Sequence, residues 1–115
     1  MQNPNLLGSG LTLIQKEFIF PSKDKVDILF EDSRRSPVTV EIEAHIPPGN
    51  EVGMWQAVKY KHLAAVQYEV PCEQVRSILV APTIPEDIKE KCVPLGIEPR
   101  EVSIDSTRRG DECEA

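Results

Sequence analysis

The sequence predicts an α/β fold in which helices flank a mixed β-sheet of about five strands, in the order β-β-β-α-β-α-β. Three observations carry this prediction. Residues 25–31 and 38–44 alternate apolar and polar side chains, and residues 75–82 are continuously apolar. Residues 51–68, which lie before the apolar run, have apolar side chains at helical spacing. Strands joined by a turn, followed by strands joined through helices, give a sheet of mixed direction.

The first three strands are predicted from their residue patterns. Residues 11–20 are apolar and extended in character, and this segment gives the first strand. Residues 25–31 and 38–44 alternate cleanly, and the polar residues 32–37 between them predict a turn. The second and third strands therefore form a hairpin.

The second half of the chain alternates helices with strands. Residues 51–68 predict a helix that Asn50 can cap, with Trp55 as a core residue. Its apolar stripe comprises Val52, Trp55, Val58, Leu63 and Val66. The continuous apolar run 75–82 is typical of a strand buried on both faces. A short helix at 86–93 and a last strand at 98–104 complete the order.

Length and composition bound the class of protein. The 115 residues correspond to one domain, predicted at 1–104, and the remaining residues 105–115 are expected to be a disordered tail. A net charge of −6 argues against general coating of nucleic acid, which needs a basic surface. Neither a signal peptide nor a membrane partner is expected, and three scattered cysteines indicate reduced thiols in the cytoplasm.

Three carboxylates are the most informative residues of the predicted hairpin. In an antiparallel pair the indices of opposed residues have a constant sum, so Asp27 lies opposite Glu41 (sum 68) or Glu43 (sum 70). Either register brings the three together on one face, where like charges repel unless a cation neutralises them. Mg²⁺ or Mn²⁺ suits oxygen ligands. The alternative is a polar sheet face that simply contacts water.

The predicted helix supplies further candidates. Gln56 and Tyr60 are four residues apart and share one helical face, from which both can donate and accept hydrogen bonds. Lys59 and Lys61 flank Tyr60 and are candidates for binding phosphate. The adjacent arginines of the hairpin turn, Arg34 and Arg35, are candidates for contacts with a DNA backbone. For all of these residues an ordinary solvated surface is the alternative.

Taken together, the segments 10–18, 25–29, 38–43 and 56–60 resemble a PD-(D/E)xK nuclease core, most nearly that of the NucS-like C-terminal nuclease domains. The similarity covers about residues 3–70 and rests on the order and spacing of motifs. It implies a restriction-endonuclease-like core.

The resemblance also implies roles for residues. Asp27 and Glu41, helped by the backbone carbonyl of Ile42, would hold Mg²⁺, for which Mn²⁺ substitutes. Gln56 and Tyr60 match the helix motif that follows the site. Such enzymes hydrolyse DNA phosphodiester bonds by metal-activated water.

Two departures from the family pattern keep other functions open. Glu43 stands where the family usually has lysine, so it would act as a base or second metal ligand, with Lys59 or Lys61 supplying positive charge. The family's first helix is missing from the sequence, and Glu17 is a weaker substitute for its acidic residue. The alternatives to a nuclease are an inactive relative that binds or assembles, and an unrelated α/β interaction domain. DNA is the expected partner, and a homodimer or an additional domain in a larger protein remains open.

Overall fold

A five-stranded mixed sheet organises residues 10–103, the part of the chain that the computed structural model describes. Its elements are β1 (Thr12–Ile19), β2 (Lys25–Glu31), β3 (Pro37–Ile42), α1 (Val52–Tyr68), β4 (Arg76–Ala81), α2 (Glu86–Cys92) and β5 (Ile97–Glu101). The predicted fold class and element order are confirmed. The predicted tail at 105–115 lies outside the described residues.

The strands lie side by side in chain order, from β1 at one edge to β5 at the other. The pairs β1–β2 and β2–β3 are antiparallel, whereas β3–β4 and β4–β5 are parallel. The parallel pairs require crossover connections, and α1 and α2 supply them. The third strand ends at Ile42, two residues before its predicted end at 44.

The turn between β2 and β3 is closed by Asp32. Its Oδ1 accepts hydrogen bonds from the backbone N–H of Arg34 at 2.8 Å and of Ser36 at 2.9 Å. Arg35 has a φ of 64°, in the left-handed region that such turns use. The turn sets the pairing of the two strands, because hairpin register follows turn geometry.

Helix α1 packs on the sheet through small side chains. Its buried residues are Gly53, Met54, Ala57, Tyr60, Ala64 and Ala65. The predicted apolar stripe is wrong at Val52, Trp55 and Val66, which are 63%, 50% and 76% exposed. Small residues let the helix backbone approach the strands closely, so the larger apolar side chains face outwards. The buried Ser77 hydroxyl of β4 donates a hydrogen bond to the Ala57 carbonyl oxygen at 2.9 Å.

Asn50, the predicted cap of α1, contacts the first turn from one residue before the capping position. The side chain of Asn50 accepts a hydrogen bond from the Val52 N–H at 3.0 Å, although Glu51 occupies the capping position itself. The Trp55 N–H donates to the Glu51 carbonyl oxygen at 3.0 Å. The first turn therefore begins directly after the loop that leaves β3.

Both described helices lie on the same face of the sheet. Met54 and Ala57 of α1 pack with Ile88 of α2 and Leu79 of β4. The opposite face has its own buried apolar cluster, and no residue of α1 or α2 belongs to it. Neither described helix is long and apolar enough to cross a membrane. The carboxylates of β2 and β3 lie on the face covered by α1, which positions the site described next.

Candidate active site

Asp27 and Glu41 meet across the hairpin. All four described residue pairs between β2 and β3, from Ile28–Val40 to Glu31–Pro37, have an index sum of 68. Continued by one residue, this register places Asp27 opposite Glu41. The Asp27 Oδ2 also accepts a hydrogen bond of 2.7 Å from the Ile42 N–H. One carboxylate oxygen of Asp27 is therefore fixed against the backbone at the end of β3.

Glu41 lies among other acidic side chains. Burial raises the pKa of its carboxyl from the ordinary value of 4.5 to about 9, helped by a hydrogen bond with Glu43 and by the negative charges of Asp27 and Glu43. Without a cation, Glu41 is therefore protonated at neutral pH and can donate a hydrogen bond. The structure brings the predicted carboxylates of Asp27, Glu41 and Glu43 close enough to interact. A proton on Glu41 reduces the repulsion among them.

Glu43 is positioned by a glycine of α1. A Cβ added to Gly53 would lie 2.8 Å from the Cγ of Glu43 and 3.2 Å from its Oε2. The Glu43 side chain therefore rests on the first turn of α1, where the positive end of the helix dipole favours an anion. Its backbone N–H donates to the Val80 carbonyl oxygen at 2.8 Å, which ties this end of β3 to β4.

Tyr60 and Gln56 contribute from α1. Tyr60 is buried, with its ring stacked 6.3 Å from that of Phe20. Burial first, and then the negative charge of Glu41, raise the pKa of the phenol, so its hydroxyl stays neutral and can donate. The Oε1 of Gln56 is buried and accepts no hydrogen bond within the described part of the chain. The helix thus presents a donor and an unused acceptor.

Lys59 lies at the rim of this group. Its ammonium contacts the Asp24 Oδ1 at 3.0 Å and lies 5.1 Å from the centroid of the Tyr60 ring. The hydrogen bond with Asp24 is the largest cause that raises the pKa of Lys59, and the charge of Glu41 adds to it. Lys59 is therefore the predicted cation that the structure brings near the carboxylates.

The other predicted cations lie elsewhere. The Lys61 ammonium donates to the Val75 carbonyl oxygen, at the start of β4. Glu43 is bonded to Val80 at the other end of that strand, five residues or roughly 17 Å away. Arg34 and Arg35 lie in the turn at the far end of the hairpin from Asp27. The structure does not bring these three residues to the carboxylates.

The donor set suits a hard cation held by two carboxylates. Among residues 10–103, no three His, Cys, Asp or Glu side chains are positioned together to hold a metal ion. Magnesium commonly uses only one or two protein carboxylates and keeps several waters. Asp27 and Glu41 with the Ile42 carbonyl fit that smaller requirement. Gln56 stands on the same face of α1 as Tyr60, four residues away.

Two residues of the site were missed at the level of sequence. Gly53 is poorly suited to a helix, and its place in the first turn was a signal of a close approach. Asp24, which pairs with Lys59, gave no such signal, because it is a polar residue before a strand.

Comparison with known proteins identifies the family. A model described as the endonuclease NucS C-terminal domain matches residues 1–114. The chain belongs to this family. No curated protein matches it significantly. The NucS family is restriction-endonuclease-like, so the resemblance inferred from the motifs of β2, β3 and α1 is confirmed.

Three solved structures share the fold. A repair endonuclease from Pyrococcus abyssi has a TM-score of 0.73 and 26% identity, over 88% of this chain and 42% of its own. A complex titled EndoMS-dsDNA2 gives 0.73 and 24%, over 88% and 40%, and EndoMS in apo form gives 0.72 and 22%, over 91% and 43%. This NucS-family chain therefore spans about two fifths of the length of these relatives.

Proposed function

We propose that this chain is the catalytic domain of a divalent-metal-dependent endonuclease that hydrolyses DNA phosphodiester bonds. The observation that carries the proposal is the convergence of Asp27, Glu41 and Glu43 on the sheet face beneath α1. The names of the relatives, a repair endonuclease and an EndoMS complex with double-stranded DNA, support DNA as the partner.

In the proposed site Asp27, Glu41 and the Ile42 carbonyl would hold Mg²⁺. When bound, Mg²⁺ supplies positive charge for the negative charge that develops on the phosphate oxygens. Glu41 would release its proton to solvent on binding the cation, because proton and cation neutralise the same repulsion.

The chain's own groups orient the reacting atoms. We propose that Glu43 accepts the proton of the attacking water, whose oxygen bonds to phosphorus as the bond to the leaving oxygen breaks. The leaving oxygen takes a proton from solvent water. The neutral Tyr60 hydroxyl donates to a phosphate oxygen. Gln56, on the same face of α1, orients the attacking water through its amide group. Lys59 contributes the positive charge that the family's lysine supplies elsewhere.

The direct test is metal binding followed by DNA cleavage. Calorimetry with Mn²⁺ is expected to show one site, and Mn²⁺ is expected to raise the melting temperature, as any ligand of the native state does. Labelled duplex, mismatched and single-stranded DNA should be cut with Mg²⁺ or Mn²⁺ and left intact in EDTA. Mn²⁺ binding without cleavage would instead support the non-catalytic relative.

Gly53→Ala tests the position of Glu43. The added methyl group displaces Glu43, so cleavage is expected to fall about tenfold, as for a misplaced catalytic group. Stability is expected to change little, since alanine favours the helix by about 1 kcal/mol and offsets the local crowding. Cleavage rates and melting temperatures measure the two effects.

Its control is a double-mutant cycle with Glu43→Gln. If Gly53→Ala acts through Glu43, adding it to Glu43→Gln lowers cleavage no further. Additive losses would contradict this role for the glycine.

A further inference from the structure

The first two turns of α1 carry an exposed tryptophan, Trp55, next in sequence to the site residue Gln56. Trp55 is half exposed, is the only tryptophan of the chain, and has the exposed Val52 one turn before it. An open groove of about 430 Å³ runs beside the indole and is lined by Glu51, Val52, Trp55, Gln56 and Lys59. The packing of α1 on the sheet, described above, makes little use of this ring.

The indole is held in place by polar contacts. Its Nε1–H donates to the Glu51 Oε1 at 3.0 Å. The other oxygen of Glu51 forms an ion pair with Lys91, so the brace extends from α1 to α2. An aromatic ring fixed before binding loses less conformational freedom when a ligand stacks on it. The geometry therefore resembles a prepared contact surface.

The groove and the candidate site share two residues, Gln56 and Lys59. Gln56 lines the groove, and the site residue Tyr60 lies one turn further along α1. Lys59 also lines the groove and stands at the rim of the carboxylates. A phosphate held at the carboxylates would thus place the base of a neighbouring nucleotide close to Trp55.

We propose that Trp55 is a stacking platform for an unpaired nucleobase next to the phosphate that is cut. This inference rests on the proposed function. An aromatic face accepts any base, and stacking is the usual way proteins hold single-stranded nucleic acid. The exposed apolar surface here is one indole and one valine, too small for a stable protein interface of at least about 1,000 Å².

The fluorescence of the sole tryptophan tests the inference. A short single-stranded DNA is titrated into the full chain at low salt, with Ca²⁺ in place of Mg²⁺, beside an oligonucleotide of equal length and charge that lacks bases. The intact strand is expected to quench the fluorescence, and the abasic strand is not. Equal quenching by both strands, or none by either, would overturn the proposal.

Variants measure the contribution of the ring. Trp55→Ala is expected to weaken binding of the intact strand roughly 5- to 150-fold, the usual range for a lost base stack. Trp55→Phe should retain most of the affinity, measured with a labelled strand. Val66→Ala removes a side chain that is 76% exposed on the same helix and should change nothing. An unchanged affinity in Trp55→Ala would also overturn the proposal.

The same titration separates this inference from the nuclease proposal. Asp27→Asn, in EDTA, alters the proposed metal site and leaves the groove residues in place. Quenching that persists there, with cleavage still abolished when Mg²⁺ is supplied, supports both proposals. Metal-dependent cleavage by the wild-type chain without quenching refutes the platform alone, whereas quenching by a chain that never cuts refutes the nuclease alone.

Discussion

Replacing Asp27 with asparagine is expected to lower metal-dependent DNA cleavage by at least about 1,000-fold. The loss follows from the charge alone, because a metal ion contributes several kcal/mol to the transition state and each 1.4 kcal/mol is tenfold in rate. The asparagine oxygen still accepts the hydrogen bond from the Ile42 N–H, so the fold is kept. Mn²⁺ calorimetry and single-turnover cleavage measure the effect.

Two comparison variants separate charge from structure. Asp27→Ala loses the hydrogen bond as well, and we expect its free energy of unfolding to fall by about 1 kcal/mol more than that of Asp27→Asn. Asp87→Asn changes the same kind of charge on the exposed surface of α2 and should leave cleavage intact. Full cleavage by Asp27→Asn would remove Asp27 from the proposed mechanism.

The hairpin was predictable because its rules are local. Side chains alternate in a strand, so any antiparallel register with an even index sum puts Asp27, Glu41 and Glu43 on one face. The sequence left sums of 68 and 70 open, and the turn closed by Asp32 selects 68. The even index sum alone was therefore enough to predict that the carboxylates converge. The exact register depends on the turn that the Asp32 side chain closes.

The orientation of α1 was not predictable in the same way. The pattern of large apolar residues pointed to Val52, Trp55 and Val66 as the buried face, and these are exposed. The sheet instead contacts a face that includes Gly53 and Ala57, because close packing favours small residues there. A hydrophobicity scale gives glycine and alanine little weight. The pattern of large apolar residues therefore could not predict which face of α1 contacts the sheet.

The positions of the lysines depend on contacts distant in sequence. Lys59 and Lys61 are two residues apart, and helical geometry sends them to different sides of α1. Lys59 meets Asp24 from the turn before β2, whereas Lys61 meets the backbone at the start of β4. Only the packed fold shows which of the two stands beside Glu41.

We expect Glu41→Gln to stabilise the metal-free chain at pH 8 and to abolish its stabilisation by Mn²⁺. The pKa of Glu41 is about 9 in the folded chain and near 4.5 when unfolded, so the folded state binds more protons between these values. The free energy of unfolding therefore falls as pH rises from about 4.5 to about 9. Glutamine has no such titration, so the variant loses this slope.

The expected gain in the free energy of unfolding at pH 8 is on the order of 2 kcal/mol. It is no larger because solvent screens part of the repulsion around this partly exposed carboxylate. Urea unfolding of the metal-free proteins at pH 5 and pH 8 measures it. Adding Mn²⁺ should then reverse the order at pH 8, since only the wild-type chain keeps both proposed carboxylate ligands. Glu41→Gln is thus expected to lower the affinity for Mn²⁺ and to raise the stability of the metal-free fold.

Glu98→Gln is the matched control, with the opposite sign. Arg76 holds Glu98 through hydrogen bonds of 2.9 and 2.8 Å, and this contact lowers the pKa of the carboxyl. Its stabilisation is present above the unfolded pKa and is lost as pH falls, so the variant should be less stable at pH 8, by about 1 kcal/mol or less. If Glu41→Gln were destabilising in the same way, Glu41 would be a paired structural carboxylate, and the crowded acidic site would be refuted.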